Sequence, residues 1–159
     1  MASTLLDERQ TVEMLADAEE KIGEIYAIFA GWFPHDGAFW ERLRREEAAH
    51  ARWVRELLPL VVAGQVTFRE SRLGTPAFAL FHDYLVQHLR ELKAAPLSET
   101  AALAVAVDIE STLVEKSFYD VFTSEDPESA RLLALLSKSA EAHLHAVNRH
   151  WLARHAKSY

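Results

Sequence analysis

The chain has 159 residues, half of them hydrophobic, with 5 Gly, 5 Pro, no Cys and a formal net charge of -7. That length suits one domain, 1–159, with a full core, and is short for two. The acidic balance and the lack of a one-signed basic stripe exclude nucleic acid as a partner, and the absence of cysteine excludes disulfides, thiolate metal sites and a thiol nucleophile.

Ala, Leu, Glu and Arg dominate and turn formers are scarce, so the expected class is all-α. Met1 to Glu8 is too polar for a signal peptide, and no apolar run approaches the roughly 18–20 residues that span a bilayer; a cytoplasmic protein without membrane contact is expected. Ser3 or Thr4 can cap a first helix running to about Phe33, where Pro34-His35-Asp36-Gly37 ends it. Its apolar stripe is Val12, Leu15, Glu19, Ile22, Tyr26, Phe29 and Phe33, in which Glu19 is the only acid, while Glu13, Asp17, Glu20 and Glu24 fall on the other face.

Asp36 can cap a second helix from about Ala38 to Ala63, with Gly64 as its stop and Pro59 as a kink or an early end. Its stripe reads Trp40, Leu43, Glu47, His50, Val54, Leu57 and Val61, stepping by three and four. Arg42, Arg44, Arg45, Arg52 and Arg55 alternate with Glu41, Glu46 and Glu56, the pattern of a solvated, ion-paired face.

Residues 65–74 lack a helical period and read as an extended connection, followed by a helix from about Pro76 to Lys93. His82 and His88 sit there among Phe78, Phe81, Leu85 and Leu89 and read as packing or surface residues. Ser98 begins the next helix, expected to last to Phe122, with Leu103, Val107, Glu110, Val114, Phe118 and Val121 on one side and Asp108, Thr112, Glu115 and Lys116 on the other. Thr123 to Pro127 forms a turn with a capping residue and Pro at the first helical position. The last helix, about Glu128 to Ala156, offers Leu132, Leu136, Ala140, His143, Val147 and Trp151. His150, His155 and Trp151 read as residues that cover the bundle end or make a subunit contact.

Four long helices with a long crossover carrying a shorter fifth correspond to an up-down-down-up bundle. Tyr26-Ala27-Ile28-Phe29 is echoed by Tyr119-Asp120-Val121-Phe122, and His50 and His143 each lie 24 residues beyond their tyrosine. Two helical hairpins related by a pseudo-twofold would produce such an echo.

Each long helix thus sends at least one candidate ligand inward: Glu19, Glu47, His50, Glu110 and His143. A buried carboxylate needs neutralisation, a counter-charge or a cation. Carboxylate and imidazole together suit iron or manganese, and a dimetal centre in a bundle uses one Glu from each of two helices plus Glu-x-x-His from each of the other two. Three Glu and two His of that set are present. Tyr26, one or two turns from Glu19, is placed to hydrogen-bond a ligand carboxylate.

Glu19 with Tyr26 and Phe29-Ala30 behind it, Glu47-x-x-His50, and the run Asp108-Ile109-Glu110 through Phe118-Tyr119 resemble the ferritin-like superfamily, nearest to the rubrerythrin-type dimetal domain. The resemblance in plan covers nearly the whole chain. It implies a ferritin-like four-helix bundle with a di-iron or mono-iron centre, possible manganese, reacting with peroxide or dioxygen. Without a cysteine-ligated rubredoxin-like module, an external electron donor is implied, and a homodimer is expected. Two positions depart from the family pattern. Ala140 stands where a Glu is expected three residues before His143, with Glu141 about 100° round the helix. Glu110 precedes Tyr119 by nine residues, whereas Glu19 precedes Tyr26 by seven, and Thr112 stands at minus seven. Two alternatives follow: a non-enzymatic helical scaffold with a degenerate site, and an iron storage or delivery protein.

Overall fold

The computed structural model describes residues 2–68, 75–115 and 118–156, with side chains from Glu8 in the first segment and from Pro76 in the second. The fold is all-α. Five helices, α1 (Ala2–Trp32), α2 (Gly37–Val62), α3 (Thr75–Ala94), α4 (Glu99–Glu115) and α5 (Pro127–His155), account for most of the chain. Two-residue strands β1 (Thr67–Phe68) and β2 (Phe122–Thr123) pair antiparallel, and short 3-10 turns cover Pro34–Asp36 and Phe118–Val121.

Local chemistry sets most of the boundaries. Gly64 adopts φ +73°, a left-handed conformation that favours glycine, and Gln65 N–H reaches back to Leu60 O at 2.9 Å, closing α2. Pro59 lies in the last turn of α2 without ending it, because one missing N–H there costs a single bond. Ser98 Oγ accepts from Ala101 N–H at 3.2 Å to cap α4, and Asp126 accepts from Ser129 N–H at 2.9 Å ahead of Pro127 to cap α5.

Four expectations from the sequence need correction. Ser3 and Thr4 lie inside α1 and not ahead of it, with their side chains outside the described residues. Asp36 precedes α2 but does not cap it, since its carboxylate is taken by His150, 2.8 Å away, and by Arg154. The helix expected to reach Phe122 does not do so: α4 is described to Glu115, residues 116–117 lie outside the described residues, and Phe118–Val121 forms a 3-10 turn that lets Phe122–Thr123 pair with Thr67–Phe68. The crossover helix α3, with 20 residues, is longer than α4, with 17. The connection expected as extended does contain β1, and its residues 69–74 lie outside the described residues.

Phe68 and Phe122 meet edge to face at 4.8 Å, so the chain leaving α2 is clasped to the chain leaving α4. α3 lies against α1, joined by the His82–Asp17 ion pair, and its Phe78 and Phe81 rings pack on Phe118 at 4.7 and 5.2 Å. The stripes of α1 and α2 are buried throughout as their period requires. On α4 the buried face is Ala102, Leu103, Ala106, Ile109, Glu110 and Leu113, with Val107 and Val114 only partly covered. The stripe there is turned slightly from the expected one, with Glu110 inside both.

Candidate metal centre

Glu19 on α1, Glu47 and His50 on α2, Glu110 on α4 and His143 on α5 meet between these four helices, each at most 3 % exposed. Periodicity places each on an apolar face, and the axial offsets of the helices bring the faces to a common height. Gly23 helps at α1–α2: a Cβ there would stand 3.6 Å from Glu47 Cβ, so the two backbones run close beside the centre.

Glu47 is the shared member. Its Oε2 lies 3.1 Å from His50 Nδ1 and its Oε1 2.6 Å from His143 Nδ1. Glu19 flanks the first half, with Oε2 3.9 Å from His50 Nδ1, and Glu110 flanks the second, with Oε1 3.9 Å from His143 Nδ1. The two imidazoles stack with centroids 4.8 Å apart. Ligand atoms of Glu47, His50 and His143 all lie within 4.8 Å of one another, so these three buried side chains could hold a metal ion.

Both rings face the centre with Nδ1 and are engaged from behind at Nε2. His50 Nε2 lies 2.5 Å from Ser139 Oγ, and His143 Nε2 lies 2.6 Å from Glu46 Oε2. An ionised carboxylate only accepts, so His143 carries a proton on Nε2 and donates it to Glu46. This outer-partner arrangement fixes ring orientation and tautomer in metal-binding histidines. Tyr26 O–H donates to Glu110 Oε1 at 2.5 Å, fixing one oxygen of that carboxylate. Both oxygens of Glu19, Oε1 of Glu47, Oε2 of Glu110 and His143 Nδ1 are buried without a hydrogen-bond partner.

The electrostatics follow from crowding three acids into a dry space. Burial raises Glu19 well above the usual carboxylate range, and the charge of Glu47 adds to it. Burial and Glu47 push Glu110 up to about 8, against the pull of His143 and Tyr26. Glu47 goes the other way: burial opposes its ionisation, but His143 and His50 outweigh it and hold it low. Burial disfavours the His143 cation, yet Glu47, Glu110 and Glu46 raise it to about 9. Burial and Glu110 likewise hold the Tyr26 phenol well above 10. Burial and the neighbouring charge of Glu47 thus favour the protonated form at Glu19 and Glu110, while Glu47 and His143 favour each other's charged form.

Every residue singled out as a candidate ligand from the sequence is brought together, and Tyr26 beside them. Tyr26, however, bonds Glu110, 84 positions away, and not the nearby Glu19. Glu46 and Ser139 were not foreseen: Glu46 reads as part of a charged, solvated face, and no local signal marks Ser139 as a partner of His50. Ala140 is buried beside a cavity of about 50 Å³ also lined by Tyr119 and Ser137, while Glu141 is exposed. The buried Tyr119 hydroxyl has no partner, so the Tyr26 echo does not extend to its contact. A second group, His35, Asp36 and Glu99 at the bundle end, already holds Arg154 on both carboxylates and behaves as an ion-pair clamp. Among the described residues no helix is long and apolar enough to cross a membrane. No family model, curated protein or solved structure matches the chain.

Proposed function

We propose that the protein is a metal-dependent oxidoreductase, a ferritin-like bundle of the rubrerythrin type that binds iron or manganese through Glu19, Glu47, His50, Glu110 and His143 and reduces peroxide or dioxygen with electrons from an external donor. The observation that carries this reading is the division of Glu47: one oxygen toward each inward Nδ1, with each Nε2 held from behind by Ser139 or Glu46. Such a set has two halves with one carboxylate in common. Oxygen and imidazole donors without thiolate favour iron and manganese over softer ions.

The residues present fit a cation, because four carboxylate oxygens and one imidazole nitrogen are buried there without an aligned hydrogen bond. When bound, the ion supplies Lewis-acid and redox chemistry toward an O–O bond. The chain supplies the remainder. Glu46 and Ser139 hold the rings in place, and Tyr26 steadies Glu110 through one oxygen. Glu19, whose two buried oxygens make no hydrogen bond, would bring a carboxylate to the ion from the His50 side. The ligand side chains themselves are at most 3 % exposed, so bulk water is kept from the centre.

Ala140 favours a second reading, a scaffold that keeps the bundle without productive metal chemistry, in which Glu47 and His143 neutralise each other. Elemental analysis of the purified protein, colorimetric iron content and the Glu47→Ala variant separate the two. The metal-dependent reading expects bound iron or manganese that is lost in Glu47→Ala, and a melting temperature lowered by chelators. Metal-free protein with a melting temperature indifferent to chelators and to added iron or manganese would establish the scaffold instead.

A further inference from the structure

We propose that the cavity beside Ala140, closed on its outer side by the Ser137–Asp120 hydrogen bond, is the passage by which a divalent cation enters and leaves the buried centre, a proposal that rests on the metal-binding part of the reading above. Such a passage is needed, because none of the five candidate ligands is more than 3 % exposed and an ion cannot meet them from solvent directly.

The inner cavity holds about 50 Å³, against roughly 10–15 Å³ for one water. Its walls include Leu113, three residues after Glu110 on α4, and Ala140, three residues before His143 on α5, so each lies one turn from a candidate ligand. The methyl group of Ala140 leaves open a space that a longer side chain there would fill. Tyr119, Asp120 and Ser137 line this cavity and also a second one of about 190 Å³, which continues past Thr123 and Ser124 to the exposed Ala134. The two spaces share these three residues, and here Ser137 Oγ donates to Asp120 Oδ1 at 3.4 Å, long for a hydroxyl bond and therefore weak. A bond of that kind between α5 and the 3-10 turn opens at little cost.

The lining suits a cation. Asp120 and Glu141 are exposed carboxylates, Tyr119 and Ser137 add hydroxyls, and among the described residues no lysine, arginine or histidine lines either cavity. Acidic groups at a narrow mouth draw cations in and repel anions. Hydroxyl and carboxylate oxygens can stand in for the waters that a divalent ion sheds on entering. Tyr119 points independently to a guest: it is 3 % exposed, lines both spaces, and its buried hydroxyl has no hydrogen-bond partner. The competing gap, about 280 Å³ on the outer side of α1 and α2, suits an ion less well. Gly23 brings the two backbones close beside Glu47 there, and Arg44 adds a positive charge to its lining.

Wild-type protein is first titrated with cobalt(II); a chain that binds none overturns the metal-dependent reading and this passage with it. Association is then followed by stopped-flow absorbance, and dissociation after mixing with excess chelator, in wild type, Ser137→Leu, Asp120→Asn and Ala27→Leu. Position 137 is a partly exposed helix site where leucine is well tolerated. A plugged passage raises one barrier met from both sides, so Ser137→Leu slows association and dissociation severalfold and together, while Kd stays as in wild type. Asp120→Asn slows association at low salt and flattens its dependence on ionic strength. Ala27→Leu, which fills the α1–α2 gap, leaves both rates as in wild type. Cobalt-binding protein in which Ser137→Leu keeps both rates, or loses affinity instead, or in which Ala27→Leu slows entry as much, overturns the passage alone. If Ser137→Leu does not fold, Asp120→Asn decides, and unchanged association at low salt overturns the passage.

Discussion

Glu47 Oε1 and His143 Nδ1 lie 2.6 Å apart, both buried, without the alignment of a hydrogen bond. Opposite charge holds them together, yet the ring's N–H direction misses the oxygen. Together with His50 these two groups could hold a metal ion, and Glu47 is the member that both imidazoles approach.

Glu47→Ala is expected to abolish tight binding of iron(II), or of cobalt(II) as a spectroscopic substitute, at both halves in calorimetric titration. It also leaves His143 a buried cation without its main counter-charge, so metal-free protein loses about 3–5 kcal/mol in urea denaturation, the scale for one broken partner of a buried pair. Wild-type-like titration in this variant would remove Glu47 from the centre.

Stability of the metal-free protein is expected to fall as pH rises from mildly acidic to alkaline. Glu110, at about 8 when folded, keeps a proton that the unfolded chain gives up near 4.5, so folding loses ground between those values. His143, raised from 6.5 to about 9, contributes stability fully present below 6.5 and lost as pH passes through 9. Glu47, lowered by its imidazole partners, contributes stability present above 4.5 and lost in acid. Thermal melts from pH 4 to pH 10 with chelator present should therefore peak on the mildly acidic side.

A bound cation replaces the protons on Glu19, Glu110 and His143. Addition of cobalt(II) near neutral pH in weak buffer should release more than one proton per protein, read with an indicator dye. Binding without proton release would mean that the ion sits elsewhere.

Ala140→Glu supplies the carboxylate three residues before His143. In metal-free protein it adds another buried acid and should lower stability by about 1–3 kcal/mol, while the metal-to-protein ratio or affinity rises and the loaded variant melts higher than the empty one. Unchanged metal content would show that position 140 does not face the ion.

The clamp at the bundle end offers a control. His150 and Arg154 outweigh the effect of burial and hold the Asp36 carboxyl well below its ordinary value, so its contribution is present at neutral pH and lost in acid. Asp36→Asn is expected to cost about 1 kcal/mol in urea denaturation and to leave metal content unchanged.

How much of this was legible in the sequence depends on the range of the contact. Residues on one helix have their relative directions set by a 100° step, so Glu19 within Val12–Phe33, Glu47 and His50 within Trp40–Val61, and His143 beside Ala140 were all placed inward by period alone. On α4 the period admits neighbouring stripes that share Glu110, and packing, chiefly against α5, chose the one centred on Ala106 and Glu110.

By itself, then, the chain's pattern determined the all-α class, most helix ends and which five ionisable groups leave the solvent, because these follow from spacing within single helices and from local caps. Tertiary structure alone decided that Tyr26 meets Glu110 and not Glu19, that Glu46 backs His143, that Asp36 is drawn from its helix to His150 and Arg154, and that α4 yields to the Phe68–Phe122 clasp. The physical reason is that a helical period fixes the direction of a side chain around its axis, while its partner is set by the height and rotation of another helix, which depend on how the whole core packs.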